Sequence, residues 1–202
     1  AQASLAPQPL GLRPLQAWTV AAGPASWQAL NDVDGVGAAL WRELTLKDQV
    51  GTMTVATASV GAAWQETRAH VQARHQGGQP LIHHDAVQRL IAQQEAALQQ
   101  AQRCVQAWRR PCQPRHLPAV LRDRREVHQH LVALADAAIQ AQGAAGYLRH
   151  SAAARAWTDQ WTLRQLAGGV RDALRLACLC EGLDDEGRDA TAIAFAWAGQ
   201  PT

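Results

Sequence analysis

The amino-acid sequence predicts an all-α protein, and three observations carry that prediction. Ala, Leu and Gln, which all favour helices, dominate the middle of the 202-residue chain. Tyr and Phe occur once each and aromatic residues make up only 5% of the chain, so the composition disfavours a large β-sheet. Apolar residues at helical spacing alternate with short Gly- and Pro-rich breaks. Together these features indicate an antiparallel four-helix bundle with an irregular N-terminal lead-in.

The chain divides into three segments by its patterning. Residues 1–43 are rich in Pro, Gly and Ala without a helical period, and we expect an irregular lead-in there with one or two short strands. Residues 44–182 carry the helical bundle domain, and residues 183–202 form a C-terminal tail. The chain does not begin with Met, which is expected of a processed chain or a fragment.

The breaks in the apolar pattern set the predicted helix boundaries. A Gly- and Pro-containing stretch, HQGGQP, ends the first helix, and a Pro-rich connector ends the second. Ser151 is placed to cap the fourth helix, and Gly168 and Gly169 separate that helix from a fifth. The four predicted bundle helices span residues 44–74, 84–109, 119–142 and 151–166.

Charge and cysteine content exclude several classes of protein. The formal net charge of +2 does not indicate a nucleic-acid or membrane-surface protein, and no apolar run approaches the ~20 residues that span a bilayer. The cysteines lack the paired spacing of a zinc site, so we predict free thiols, no metal site and a reducing, cytoplasmic location. The four cysteines are Cys104, Cys112, Cys178 and Cys180.

Two stretches resemble a known family. Residues 58–81 end in RHQGGQPL, and the helix that they form is similar to the long acyl-CoA dehydrogenase helix that ends in the pattern Y-A-x-x-R-x-Q-F-G-x-P-L. Gly77 stands where this pattern has Phe. Residues 139–177 resemble the family's Q-x-x-G-G-x-G-Y, P-x-E-R-x-x-R-D and Gly-Thr elements, although Ala144 replaces the second Gly. The matching residues are Arg74, Gln76, Gly78, Pro80, Leu81, Gln140, Gly143, Gly146, Tyr147, Arg155, Asp159, Gly168 and Gly169.

The order of these motifs across residues 45–180 resembles the C-terminal helical domain of acyl-CoA dehydrogenases, about the last third of such an enzyme. The resemblance implies FAD as cofactor. It implies cofactor contacts for Arg74, Gln76, Gln140 and Gly143, with the Arg approaching the FAD diphosphate of a neighbouring subunit. A guanidinium suits that role because it can pair two oxygens in a fixed geometry. Without a cofactor, Arg74 would be a solvated helix-end residue and Gly143 a helix cap.

The resemblance also indicates which residues stand at the positions of the family's catalytic base. The resemblance puts the usual Glu position at Ala167 or Gly168, and neither residue can abstract a proton. A minority branch of the family places its Glu near the start of the long helix, where this chain has Asp48. Asp48 is therefore the candidate base, although it could equally be an ordinary first-turn Asp favoured by the helix dipole.

Three functional hypotheses follow. The first is an acyl-CoA dehydrogenase-like flavoprotein domain or short subunit, catalytically degenerate alone, acting in a homo-oligomer or in a hetero-oligomer with a chain that carries the missing domains. The second is an active acyl-CoA oxidoreductase with those domains supplied in trans and Asp48 as base. The third is a non-enzymatic helical module that binds a phosphate-bearing partner, CoA or nucleic acid, through an arginine cluster. That cluster contains Arg103, Arg109, Arg110, Arg115, Arg122, Arg124 and Arg125.

Overall fold

The longest element is α1, a helix of 38 residues that runs Val36–Ala73. The computed structural model describes residues 2–5, 11–12, 18–21, 36–109, 111–166, 169 and 177. Within them, the other long helices are α2 (Asp85–Trp108), α3 (Leu117–Gln142) and α4 (Ala152–Leu163). The all-α prediction is confirmed.

Helix α1 begins eight residues earlier than its predicted start at Leu44. In the added turns Trp41 packs against the core but Leu40 is 40% exposed, so these turns bury no continuous apolar stripe. A helix segment without a buried face leaves no apolar period in the sequence. The predicted boundaries of α2 and α3 differ by two residues or fewer from those observed.

Helices α1 and α3 pack against each other, and α2 and α4 each contact both of them. This arrangement buries one continuous apolar core, in which each fully buried large side chain contributes about 1.5–3 kcal/mol. Its largest fully buried apolar side chains are Leu46, Met53, Trp64, Leu117, Leu121, Leu131 and Leu134.

A shared carboxylate fixes α2 against α1. The Trp64 indole Nε1 donates to Glu95 Oε1 at 3.0 Å, and Arg68 Nη1 lies 3.1 Å from the same oxygen. At the start of α4, Ser151 caps the helix as predicted, because its Oγ accepts from the Ala153 backbone N–H at 3.2 Å.

The lead-in contributes a small hairpin and a contact with α4. Strand β1 (Gln2–Leu5) pairs antiparallel with β2 (Trp18–Ala21), and β2 lies in the segment that was expected to hold a strand. The Gly11 and Leu12 backbone N–H groups donate to Thr162 Oγ1 at 2.9 Å and to Asp159 Oδ1 at 2.6 Å. A Cβ atom on Gly11 would lie 2.2 Å from the Thr158 carbonyl oxygen, so only glycine permits this approach.

Two further findings concern the cysteines and the membrane. Cys104 and Cys112 are free thiols, as predicted, whereas Cys178 and Cys180 lie outside the described residues. Burial, together with Asp123, raises the pKa of the Cys104 thiol to about 12, so this thiol stays protonated. No helix within the described ranges is long and apolar enough to cross a bilayer. The predicted fifth helix and the tail fall outside the description, apart from Gly169 and Ala177.

Candidate functional site

A groove lies where the end of α1, the start of α2 and the end of α3 meet. We call it the Arg74 groove, and its volume is about 650 Å³. That size is typical of sites for small molecules and cofactors. The four residues predicted to contact a cofactor all belong to its wall. The lining residues are His70, Arg74, Gln76, Leu81, Ala86, Val87, Leu90, Gln140, Ala141, Gln142, Gly143, Ala144 and Ala145.

A tight hairpin holds Arg74 and Gln76 in place. Strand β3 (His75–Gln76) pairs with β4 (Gln79–Pro80) through Gly77 and Gly78, whose φ angles of +63° and +85° favour glycine. The Leu81 backbone N–H donates to the Arg74 carbonyl at 2.7 Å. The position that is Phe in the family pattern is therefore a turn glycine here, because the hairpin requires a positive φ.

His84 closes the hairpin from the side of α2. Its Nε2 lies 2.9 Å from the Gln76 carbonyl oxygen and its Nδ1 lies 3.4 Å from Gln79 Nε2. An Nε2–H tautomer satisfies both contacts, donating to the carbonyl and accepting from the amide. The His84 ring also lies beside Gly77, where a Cβ atom would be 3.5 Å from its Cε1.

The end of α3 forms the opposite wall. Gly143 caps this helix with φ +58°, a conformation that glycine adopts without strain, so the helix-cap interpretation of Gly143 holds alongside its place in the groove. The Gln140 amide Nε2 donates to Asp136 Oδ2 at 2.9 Å, which orients the side chain. Gln142 reaches across to α1, donating to Thr67 Oγ1 at 2.8 Å.

The groove combines polar side chains that converge on it with an apolar wall. The side chains of His70, Arg74 and Gln76 make no hydrogen bond or ion pair with any residue that the structure describes. Every lining position is either uncharged or basic, so no carboxylate neutralises Arg74 from the wall. Half-buried Leu81, Val87 and Leu90 supply the apolar side. Such a surface suits an anionic group attached to a flat or apolar body.

The candidate base Asp48 lies far from this groove. Asp48 is exposed and about three turns inside α1, so the first-turn interpretation of this residue is wrong. The 26 residues from Asp48 to Arg74 correspond to about 39 Å along the helix axis. One chain therefore cannot present both residues to the same small group.

Arg124 links α1, next to Asp48, to the end of α4. Its fully buried guanidinium donates from Nη1 to the Gln49 side-chain oxygen on α1, next to Asp48. From Nη2 it donates to the carbonyls of Leu163, at 3.3 Å, and Leu166 at the end of α4. Position 167 follows directly in the chain, although Ala167 and Gly168 themselves lie outside the described residues. Arg124 thus joins the neighbour of Asp48 to the last described residues before position 167.

A buried imidazole accompanies Arg124. His128, one turn further along α3, is fully buried and neither ring nitrogen makes a hydrogen bond within the described residues. Burial lowers the pKa of His128 to about 3; Arg124 and Arg164 add to this effect and Gln160 opposes it. Burial also lowers the pKa of Arg124, to about 10, so at neutral pH the arginine is charged and the histidine neutral.

The arginine cluster on which the third hypothesis rests is not one surface. Arg122 and Arg125 are exposed, but Arg124 between them is in the core. Arg110 lies outside the described residues. The run of basic residues in the sequence suggested a solvated face. The sequence did not show that Arg124 faces the core while Arg122 and Arg125 face solvent.

Two polar residues of the groove, His70 and Gln142, were not predicted from the sequence. His70 lies one turn before Arg74 on α1, at the position of Tyr in the family pattern, and the four-residue spacing was the available signal. Gln142 lies two positions after the motif residue Gln140. Only the packing of α3 on α1 shows its hydrogen bond to Thr67.

Comparisons with known proteins bear on the fold and the family of the chain. Residues 35–176 match the family described as acyl-CoA dehydrogenase, C-terminal domain. A glutaryl-CoA dehydrogenase from Mycobacterium smegmatis in complex with FADH2 is similar, with 17% identity and a TM-score of 0.73 over 93% of this chain and 49% of that chain. An acyl-CoA dehydrogenase from Geobacillus kaustophilus has 17% identity and a TM-score of 0.70 over 91% and 49% of the two chains. One from Slackia heliotrinireducens DSM 20476 has the same identity and TM-score over 91% and 50%.

The similarity to these structures concerns the fold, and the chain spans half or less of the length of each. No curated protein sequence matches the chain significantly.

Proposed function

Because the chain belongs to the acyl-CoA dehydrogenase family through its C-terminal domain, we propose that it is a flavoprotein domain that holds the diphosphate of FAD in the Arg74 groove. One observation carries the proposal. Arg74, Gln76, Gln140 and Gly143 come from two separate motifs, yet they line a single groove. Within an oligomer this groove would serve the FAD of a neighbouring subunit.

The residues of the groove fit a diphosphate. The Arg74 guanidinium is exposed, makes no contact with a described carboxylate, and can donate two parallel hydrogen bonds to phosphate oxygens. The Gln76 amide adds donors beside it, and the positive φ of Gly143 lets the backbone turn away at the wall. FAD, when bound, would be the hydride acceptor, and the role of this chain is to bind and orient the cofactor.

The chain supplies this binding surface without its own base in the usual place. Ala167 and Gly168 occupy the positions that the motif assigns to the catalytic Glu, and neither side chain can take a proton. The distance of about 39 Å along α1 between Asp48 and Arg74 supports a division of labour between subunits. We therefore propose a degenerate subunit that acts in a homo-oligomer, or in a hetero-oligomer with a chain that carries the other domains and binds the acyl-CoA.

The experiment is a titration of the purified full chain with FAD, followed by flavin fluorescence and the visible spectrum. We expect saturable binding that the Arg74→Gln substitution weakens about tenfold or more, because the charged donor pair is lost. Riboflavin, which lacks the phosphates, is the matched ligand control and should bind weakly to both proteins. Equal affinity of wild type and Arg74→Gln for FAD would contradict the proposed site, and acyl-CoA turnover by this chain alone would contradict its degeneracy.

A second candidate function is an active acyl-CoA oxidoreductase whose other domains are supplied in trans. The observation that favours it is the position of Asp48 beside Gln49 and Arg124, across from the end of α4. Asp48 would then take the α-proton of the acyl-CoA in the assembled complex. The test is Asp48→Asn in that complex, where unchanged acyl-CoA oxidation would exclude Asp48 as the base.

The phosphate-binding module built on the arginine cluster has less support. With Arg124 in the core, charge reversal there would test folding, so binding to CoA or DNA is tested with Arg122→Glu and Arg125→Glu only. A loss of salt-sensitive binding in both variants would favour this module.

A further inference from the structure

We propose that His70 is a second anion-binding residue of the Arg74 groove and makes the hold on the phosphates of the ligand dependent on pH. This inference rests on the proposed function of the groove as a diphosphate site. His70 and Arg74 are four residues apart, and both line the groove. Residues at this spacing lie one above the other on a helix, so both side chains can reach one bound diphosphate.

The His70 imidazole is available for a ligand. It makes no hydrogen bond or ion pair with the residues that the structure describes, and it is half-buried in the wall. His83, which directly precedes His84, is exposed and lies outside the lining. Two other histidines near the hairpin are engaged: His84 contacts the Gln76 carbonyl and the Gln79 amide, and His75 Nδ1 contacts the Ala73 carbonyl at 3.1 Å. His70 therefore differs from His75 and His84. Its imidazole lines the groove and has no hydrogen-bond partner within the described residues.

The charges around His70 favour an anion in the groove. Arg74 is the only charged residue of the lining. The nearest acidic positions along the packed helices are Glu66 one turn earlier on α1, Asp85 at the start of α2 and Asp136 on α3. All three are exposed outside the lining, and Asp136 accepts a hydrogen bond from Gln140. An anion in the groove would thus meet one permanent positive charge from Arg74 and a second from a protonated His70.

The two phosphates of FAD carry two negative charges, and Arg74 alone supplies one positive charge. Histidine is the side chain whose charge changes between about pH 5 and 8. A protonated imidazole donates from both nitrogens and adds a charge-assisted hydrogen bond, whereas the Tyr of the family pattern would donate without changing charge. FAD is therefore expected to bind more tightly as the pH falls through the range in which histidine side chains become charged.

The test is FAD affinity of the full chain from pH 5.5 to 8.5 at constant ionic strength. FAD is the probe because both of its phosphates are esterified and keep their charge over this range. For wild type we expect affinity about two- to fivefold higher at the acidic end, the size of a partly exposed ionic contact. In His70→Gln and His70→Tyr the affinity should no longer depend on pH over this range. His130→Gln, the same change on α3 outside the groove, is the matched control and should keep the wild-type slope.

Pyrophosphate affinity is measured for wild type and His70→Gln at each pH. It distinguishes a failure of the role of His70 from a failure of the proposed function of the groove. If FAD binds through Arg74 but His70→Gln keeps the wild-type pH dependence, the role of His70 is overturned while the proposed function stands. If FAD fails to bind but pyrophosphate binding depends on His70 at acidic pH, the flavin assignment fails and the anion site stands. If neither ligand binds, both are overturned.

Discussion

Two arginines of the same bundle differ in how their charge is satisfied. Arg124 is fully buried, and the protein itself supplies its acceptors from α1 and from the end of α4. Arg74 is exposed in a groove and has no hydrogen-bonded or ionic partner within the described residues. A buried charge must be paired or hydrogen-bonded for the fold to be stable, whereas a solvated charge in a concave surface can bind a ligand. The difference separates a residue that holds the helices together from one that is available for binding.

The largest effect is expected at Arg124. Replacing it in Arg124→Met leaves the Gln49 side-chain oxygen and the Leu163 and Leu166 carbonyls without their donor. Since each unsatisfied buried group costs about 1–3 kcal/mol, we expect the free energy of unfolding to fall by about 3 kcal/mol or more. Urea unfolding followed by circular dichroism measures it. Arg125→Met, an exposed neighbour, should change it by less than about 0.5 kcal/mol. Equal losses in the two variants would mean that the buried bonds do not hold α4.

A smaller, pH-dependent effect is expected at His128. Its pKa in the folded state, about 3, is below the ordinary value of 6.5. Between these values the unfolded chain binds the extra proton, so acidification destabilises the fold by up to about 1.4 kcal/mol per pH unit, and the contribution of His128 is fully stabilising only above pH ~6.5.

The measurement is urea unfolding from pH 7.5 to 4.5 in wild type and in His128→Leu, which removes the titrating group from the core. The variant should lose less stability on acidification than wild type. The difference between the two proteins isolates His128, because both retain the same carboxylates. Parallel pH curves for the two proteins would show that folding does not lower the pKa of His128.

The smallest effect on stability is expected in the groove. Arg74→Gln removes no side-chain hydrogen bond or ion pair within the described residues, so the free energy of unfolding should change by less than about 0.5 kcal/mol while FAD affinity falls. Thermal unfolding with and without FAD checks both parts, because a ligand that binds the folded state raises the midpoint, and raises it more the tighter it binds. A large destabilisation without ligand would show that Arg74 has a structural role like that of Arg124.

Much of the bundle could be predicted because burial leaves a period in the sequence. The apolar stripes and breakers marked α2 and α3 to within two residues, and Ser151 capped α4 as its residue type predicts. The start of α1 was missed where Leu40 and Leu44 face solvent, since an exposed helical surface gives no apolar period. For the site, the matched motifs identified Arg74, Gln76, Gln140 and Gly143 but could not show that they share one groove.

The sequence by itself therefore determined the class of fold and the residue types available to a cofactor, because both follow from local pattern and motif. Only the tertiary structure decided which arginine is buried and which is free to bind, since adjacent positions on α3 point in different directions and only packing selects the inward one. It also decided that Asp48 and the groove are remote, and that His70 stands beside Arg74. These relations depend on distances through space, which the order of residues along the chain does not contain.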